Sequence, residues 1–415
     1  MNGSDNNDVK KYPAIDFPED VRRIIFRLID SGYDSYAVGG CIRDTILGKT
    51  PNDWDITTAA SPEEVIKLFS EGDIHIISTA GIRHGTVMLK SESDVYEVTT
   101  FRCDGNYTDH RHPDEVLFSN DIEDDLERRD FTINAIAAKP TDAGCLIVDP
   151  FGGIDDINNR IIRTVGSAKQ RFDEDALRIL RALRFASCLD FNIESETADA
   201  ILRYYPTLCY IASERITSEL WRFLEGDNAP CIVKNFRDVF DWITPLKVSE
   251  RFIEHIDKTR DPYVRLAIML DHGSDPTEFF SQMRFRGETM RFVRGLLSLE
   301  CAPENRVDVC SIMRRFGERI PAVADYMQIL VYEGIIDTGL TGADLIEESK
   351  GIIADGVPYL LPQLAVNGSD VIGAGVDRIK VGDVLEYLLE QVQLGSVRNE
   401  REVLLLQIPS EYKTE

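Results

Sequence analysis

Two carboxylates separated by one residue, Asp53 and Asp55 in PNDWDITT, are the part of this chain best suited to chemistry. Successive strand side chains alternate faces, so an extended backbone points both aspartates one way and Trp54 and Ile56 into a core. Two hard oxygen ligands side by side suit Mg²⁺, which binds through one or two carboxylates and keeps its other positions for water and substrate phosphates. Upstream, the apolar run Tyr36-Ala37-Val38 ends at Gly39 and Gly40, where a phosphate could approach a backbone that carries no side chains. Arg43 and Asp44 follow at the expected start of a helix, a setting that favours anions. Arg43 is a natural triphosphate contact, and Asp44 caps or orients. A lone DxD is usually a solvated turn and a Gly pair usually a tight turn. Together, at this spacing, they look like a nucleotide-polymerising site.

Nucleotidyl transfer requires a hydroxyl to attack an α-phosphate in line while pyrophosphate leaves. Two metal ions about 3.5–4 Å apart can activate the attacking oxygen and stabilise the leaving one. Glu97, in VYEVTTFR, is the best local candidate for a third acidic group. It sits among apolar neighbours where an unpaired carboxylate is costly. The alternative is a solvent-facing residue on a half-exposed strand.

A second constellation lies at 171–186, RFDEDALRILRALRFA. On a continuous helix, Asp175, Arg178 and Arg181 fall within about 120° of arc. Salt bridges at i,i+3 on an amphipathic helix would explain them. So would base reading: a carboxylate accepts from an exocyclic amine, and a guanidinium donates to ring nitrogen or carbonyl acceptors. Cytosine and adenine present that pattern, whereas guanine and uracil reverse it.

The elements around these residues divide the chain. The first part mixes periods: a helix is expected at 18–31 with Pro18 in its first turn, and a capped helix at 61–70 with Ser61 as N-cap and Pro62 at N1. Short β-like runs (SYAVGG, WDITT, IHIIS, HGTVMLK, YEVTTFR) make this an α/β head with a small mixed sheet, ending near DPFGG at 149–153. Beyond about 154 the pattern is almost wholly helical. One periodic segment covers 172–190, another 211–225 with Ser213 as N-cap, and further helices reach 408 with breaks at GSDP, APEN and Gly395. The expected class is α+β: a nucleotidyltransferase head (1–150) followed by an elongated all-α neck (151–215), body (216–335) and tail (336–415).

Composition sets bounds. The 415 residues allow two to four domains, and 43% hydrophobic content supports sizeable cores. No long apolar run and a polar N-terminus leave no expected membrane span or signal peptide. Eight scattered cysteines without a CxxC pair point to free thiols in a reducing cytoplasm, not to zinc, and the six histidines form no HExxH or HD doublet. A net charge of −26 argues against wholesale nucleic-acid binding, so any RNA affinity should be modest and salt-dependent. Residues 160–184 nonetheless carry seven Lys and Arg side chains that can steer a polyanion, downstream of the acidic run 121–127.

GGCIRD, then LG, then DWDITT resembles the nucleotidyltransferase signature of the DNA polymerase β superfamily. In particular it looks like the class II branch, which contains bacterial tRNA CCA-adding enzymes and poly(A) polymerases. GIRHGTV, DPFGG, RRDFTINAIA and the EDxxR element (Glu174, Asp175, Arg178) extend the likeness, as do ISERI-like residues at 211–216 and LAVNGSDVIGAGV near the C-terminus. By this resemblance Arg129 contacts the nucleotide, Asn134 supports the site, and Arg181 and Arg184 match nucleotide-contacting positions, with Arg184 rotated away from the others on an ideal helix. RRDFTINAIA read without it is an ordinary helix start. The segment DGNYTDHRHPDEV (104–116) resembles the loop of CCA- and A-adding members. The resemblance implies template-independent addition of C, C and A to a tRNA 3′ end from CTP and ATP with Mg²⁺, the tail holding tRNA and the protein serving as template. The alternative is a poly(A) polymerase or A-adding enzyme. A non-catalytic RNA-binding protein and a small-molecule nucleotidyltransferase are the rivals of other classes, and the oligomeric state is left open.

Overall fold

A computed structural model describes residues 15–104, 116–142, 144–244, 247–270, 272 and 275–413. They fall into two compact units, Met1–Ile243 and Thr244–Glu415. The first begins with α1 (Glu19–Asp30), Pro18 at its N-cap position, burying Val21, Ile24, Ile25 and Leu28 as a stripe at helical spacing. Then come β1 (Ser35–Val38), α2 (Gly40–Ile46), β2 (Asp55–Thr58), α3 (Pro62–Leu68), β3 (His75–Ser78), β4 (Thr86–Lys90) and β5 (Val95–Thr100). The start of α3 is the expected capping box: Glu64 N–H donates to the Ser61 hydroxyl and Ser61 N–H donates to the Glu64 carboxylate. A short ribbon, β6 (Arg102–Asp104) and β7 (Val116–Phe118), precedes α4 (Ile122–Glu127) and the hairpin β8 (Ala137–Thr141) and β9 (Gly144–Val148). Residues 105–115 of the segment likened above to a family loop lie outside the described residues.

The seven-stranded sheet runs β3-β4-β5-β2-β1-β8-β9. The β2–β5 pair is parallel and the other pairs are antiparallel, so the sheet is mixed. That one parallel pairing sets Asp55 directly opposite Glu97. Asp53 is two residues outside β2, in the exposed approach to the strand, while Ile56 is buried and Trp54 rests against Phe17. The hairpin β8–β9 was not anticipated, and the expected helix start at RRDFTINAIA is instead a single 3₁₀ turn, Thr132–Asn134, that feeds β8.

Helices then dominate: α5 (Gly153–Asn159), α6 (Ala168–Glu174), α7 (Leu177–Leu189), α8 (Ser195–Tyr204), α9 (Ser213–Leu224), α10 (Ala229–Asn235) and α11 (Arg237–Ile243). A two-residue parallel pair, β10 (Ile161–Ile162) with β11 (Asn192–Ile193), lies among them. Two expectations are corrected. The helix expected over 172–190 is broken at Asp175, whose backbone is extended (φ −145°, ψ 105°) and whose carboxylate accepts from Leu177 N–H at 3.0 Å. A short Asp side chain competes with the helical ladder for backbone donors, so α6 ends and α7 restarts there. Asp175 therefore does not share a helical face with Arg178 and Arg181. Ser213 is the first residue of α9, with Ala212 at the N-cap.

In the second unit the elements formed by the described residues are helices: α12 (Glu250–His255), α13 (Pro262–Leu270), α14 (Thr277–Met283), α15 (Gly287–Leu297), α16 (Arg306–Phe316), α17 (Ile320–Tyr332), α18 (Gly342–Ala354), α19 (Gly368–Gly373), α20 (Val381–Gln393) and α21 (Arg401–Leu406), with one isolated bridge between Val376 and Lys413. Three starts are capping boxes, at Asn305, Thr341 and Asn367. Val371, Val384, Leu388 and Leu404 centre the core of the last helices. Among the described residues no helix is long and apolar enough to cross a membrane, and all eight cysteines are free.

Candidate active site

Asp55 and Glu97 share the wall of a cavity of about 270 Å³, with Thr86, Thr99, Arg102 and Arg129 around them. Strands in a sheet lie about 4.8 Å apart, so the paired register alone forces the two carboxylates into each other's field. Burial pushes Asp55 above the ordinary carboxylate range and Asp53 adds to the push, against Arg129. Burial also pushes Glu97 up, followed by Asp55, against Thr86 and Arg102. Asp53 is outside the cavity lining yet near enough to act on Asp55. Asp55 thus feels Asp53 and is felt by Glu97, and hard carboxylate oxygens of this kind suit a divalent cation. Among the described residues no three His, Cys, Asp or Glu converge as a cage. The residues fit an ion that completes its shell with phosphate and water.

Gly39 turns β1 into α2 with φ +82°, a conformation other residues rarely adopt, and a Cβ there would meet Arg129 Nη1 at 2.9 Å. The bare backbone thus lets the Arg129 guanidinium lie over the turn. Gly40 is the first residue of α2. Arg129 is held in turn by Asp125 (3.1 Å), which also binds Arg128 through two hydrogen bonds. Asp125 is fully buried. Burial alone would raise its pKa, but Arg129 and Arg128 bring it below the ordinary value. Reading the sequence for motifs missed Asp125, although its i,i+3 and i,i+4 spacing to the two arginines was a usable signal.

Arg43 donates to Asn134 Oδ1 at 2.6 Å and to Asp44 at 2.8 Å. Asn134 Nδ2 donates to Asp130 at 3.1 Å, and Asp130 receives Arg181 Nε at 2.7 Å. Asp130 is a second residue the sequence reading passed over. Burial opposes its charge, but Arg181, Asn134 and Arg178 hold it down to about 2. A carboxyl depressed from 3.8 in the unfolded chain contributes stability above pH 3.8, and that contribution is lost as pH falls toward 2. Asp130→Asn should therefore cost about 2–3 kcal/mol at pH 7. That is less than the roughly 3–5 kcal/mol for breaking a fully buried pair, because Arg181 keeps a third of its side chain exposed. Denaturant titrations at pH 7 and pH 3 should show the gap between wild type and variant narrowing in acid.

The residues likened to a base reader are already engaged. Asp175 receives Arg215 from α9 at 2.7 Å. Arg178 binds Glu174 and donates to the carbonyls of Arg128 (2.9 Å) and Arg171 (3.2 Å). Arg184 donates to Glu219 at 2.6 Å, and burial lowers its pKa. Asp130 raises that of Arg181. The structure thus brings Asp53, Asp55, Glu97 and Arg129 together, and joins Arg43, Asn134, Asp130 and Arg181 in a neighbouring chain. The partners Arg215 and Glu219 stand 40 and 35 residues from the groups they hold, a separation that carries no local signal.

The Poly A polymerase head domain family matches residues 35–163, and the family described as a probable RNA and SrmB-binding site of polymerase A matches 190–239. The CCA-adding enzyme of Enterococcus faecalis is 47% identical over 402 residues, 92% of this chain and 93% of that protein. That of Leuconostoc mesenteroides is 33% identical over 403 residues, covering 93% and 94%. The crystal structure of the Bacillus stearothermophilus CCA-adding enzyme in complex with CTP superposes with a TM-score of 0.74 at 31% identity, over 93% of this chain and 95% of that one.

Proposed function

The chain belongs to the CCA-adding enzyme family, and from that premise we propose that it adds C, C and A to the 3′ end of tRNA from CTP and ATP without a nucleic-acid template. The observation that carries the reading is the pairing of Asp55 with Glu97 on one cavity wall beside Arg129. The family implies a divalent metal, and Mg²⁺ is our assignment, since hard carboxylate oxygens with positions left for phosphate and water suit it. When bound, the ion supplies Lewis acidity to the attacking and leaving oxygens. Asp53 and Asp55 would hold it, with Glu97 on the adjacent strand as the third acid. Arg43 and Arg129 take the triphosphate, whose approach Gly39 and Gly40 leave open.

Asp175 and Arg178 read the Watson–Crick edge, accepting from the exocyclic amine of C or A and donating to its ring acceptors. Both are bonded inside the protein, so a base shares or displaces Arg215 and Glu174. Arg181 and Arg184 support the nucleotide. The division into head, neck, body and tail, with tRNA held by the tail, belongs to the same proposal, as does a cytoplasmic location where tRNA matures.

The test is incorporation of labelled CTP and ATP onto tRNA ending at its discriminator base. A CCA end supports the proposal. Addition of A alone, or a long A tail, would overturn it in favour of an A-adding enzyme or poly(A) polymerase built on the same head.

A further inference from the structure

Three guanidinium groups meet on one aromatic ring. Arg43 from α2, Arg181 and Arg184 from α7 lie 5.2, 5.4 and 4.0 Å from the centroid of Phe185. The ring is almost fully buried and meets Phe131 edge-on at 5.8 Å. Phe131 follows Asp130, and its N–H donates to the Asp130 carboxylate. The contacts close on themselves: Arg43 to Asn134, Asn134 to Asp130, Asp130 to Arg181, and both arginines back to Phe185. One side of this circuit is hydrogen-bonded and the other is aromatic.

We propose that Phe185 is a positioning residue for nucleotide transfer: its π face sets where Arg43 and Arg181 stand relative to each other, and so couples the residue facing the triphosphate to the helix that chooses the base. The hydrogen bonds that Arg43 donates to Asp44 and Asn134, and Arg181 to Asp130, run along the edges of each planar guanidinium and leave the tilt of its plane to the ring. A cation over an aromatic face is attracted most strongly where water is excluded, as beside this buried ring. An aliphatic side chain of similar volume keeps the packing but lacks the quadrupole. Arg43 and Arg181 are then free to tilt, and a small misplacement of groups that align a reacting phosphate lowers rate more than binding.

The inference rests on the reading of Arg43 and Arg181 as nucleotide contacts, so both are tested alongside Phe185. Phe185→Leu should lower kcat for CTP and ATP about tenfold, with KM changed less and with thermal unfolding still cooperative. Phe185→Tyr and Phe185→Trp, which keep a π face, should recover most of kcat. Equal kcat for Phe185→Leu and wild type overturns the proposal, as does a loss in Phe185→Leu that neither aromatic variant restores. If Arg43→Ala and Arg181→Ala both leave nucleotide kinetics unchanged, the reading of those arginines fails first, whatever Phe185 does.

Discussion

Asp55→Asn is expected to lower nucleotide incorporation by about 10³-fold or more, equivalent to about 4 kcal/mol of transition-state stabilisation, while the protein unfolds at the same temperature or higher. The two halves of this result have one cause. Asp55 stands opposite Glu97 and near Asp53, and burial disfavours its charge. A group whose pKa is raised by folding adds stability below its unfolded value, and that contribution is lost as pH rises through the folded value. At neutral pH its charge therefore burdens the fold, and an amide of the same shape removes the burden together with one carboxylate oxygen of the proposed metal site. Such opposition between activity and stability is expected where a site stores repulsion for use. Incorporation assays and a melting curve on the same sample test it. A folded Asp55→Asn protein retaining more than a tenth of wild-type turnover would remove Asp55 from the catalytic centre. Because burial, and then Asp55, raise the pKa of Glu97, Glu97→Gln removes a high-titrating acid and should also move the acid limb of the pH–rate profile to lower pH.

Asp175→Ala should erase the preference for C and A over U and G. Bidentate contacts to base edges are worth about 1–3 kcal/mol of discrimination, so relative kcat/KM for UTP and GTP should rise about 10- to 100-fold. Asp175 has structural duties as well. Its carboxylate caps Leu177 N–H and receives Arg215, and loss of such a cap costs about 1 kcal/mol. Asp175→Asn separates these effects, because the amide oxygen can still cap α7 while the amide N–H can donate to a carbonyl of U or G. Relaxed selectivity in both variants marks base reading. Unchanged nucleotide preference in a folded Asp175→Ala protein would refute it, leaving Asp175 as a helix cap and ion-pair partner.

What could be read from the sequence was what is decided locally. The Ser61-Pro62-Glu63-Glu64 start of α3 satisfies its own donors within four residues, so no distant contact is needed to form it. Strands β1, β2 and β5 announce themselves because buried faces demand apolar residues in short runs. β8 did not, because Lys139 and Pro140 argue against a strand inside a sheet. In the structure β1 pairs only with Ala137 and Ala138, so Pro140 lies where β8 is paired on one side alone, with Cys145 of β9. The break at Asp175 was hidden because the apolar period runs through it unchanged. The DxD and the arginines stand out in the sequence as clustered charge. The ion-pair partners Asp130 (of Arg181), Arg215 (of Asp175) and Glu219 (of Arg184) do not, since only the finished fold brings them within reach.

The circuit through Arg43, Asn134, Asp130 and Arg181 also sets an order of events during synthesis. Asp130 leaves the ribosome 51 residues before the arginine that neutralises it. At about 5–20 residues per second, that is an interval of roughly 3–10 s. Until Arg181 arrives, the emerging head holds a carboxylate that cannot be buried cheaply, so the turn Thr132–Asn134 and the seat of Arg43 stay unsettled. The turn that carries Asn134 therefore settles only when α7 docks and brings Arg181 to Asp130.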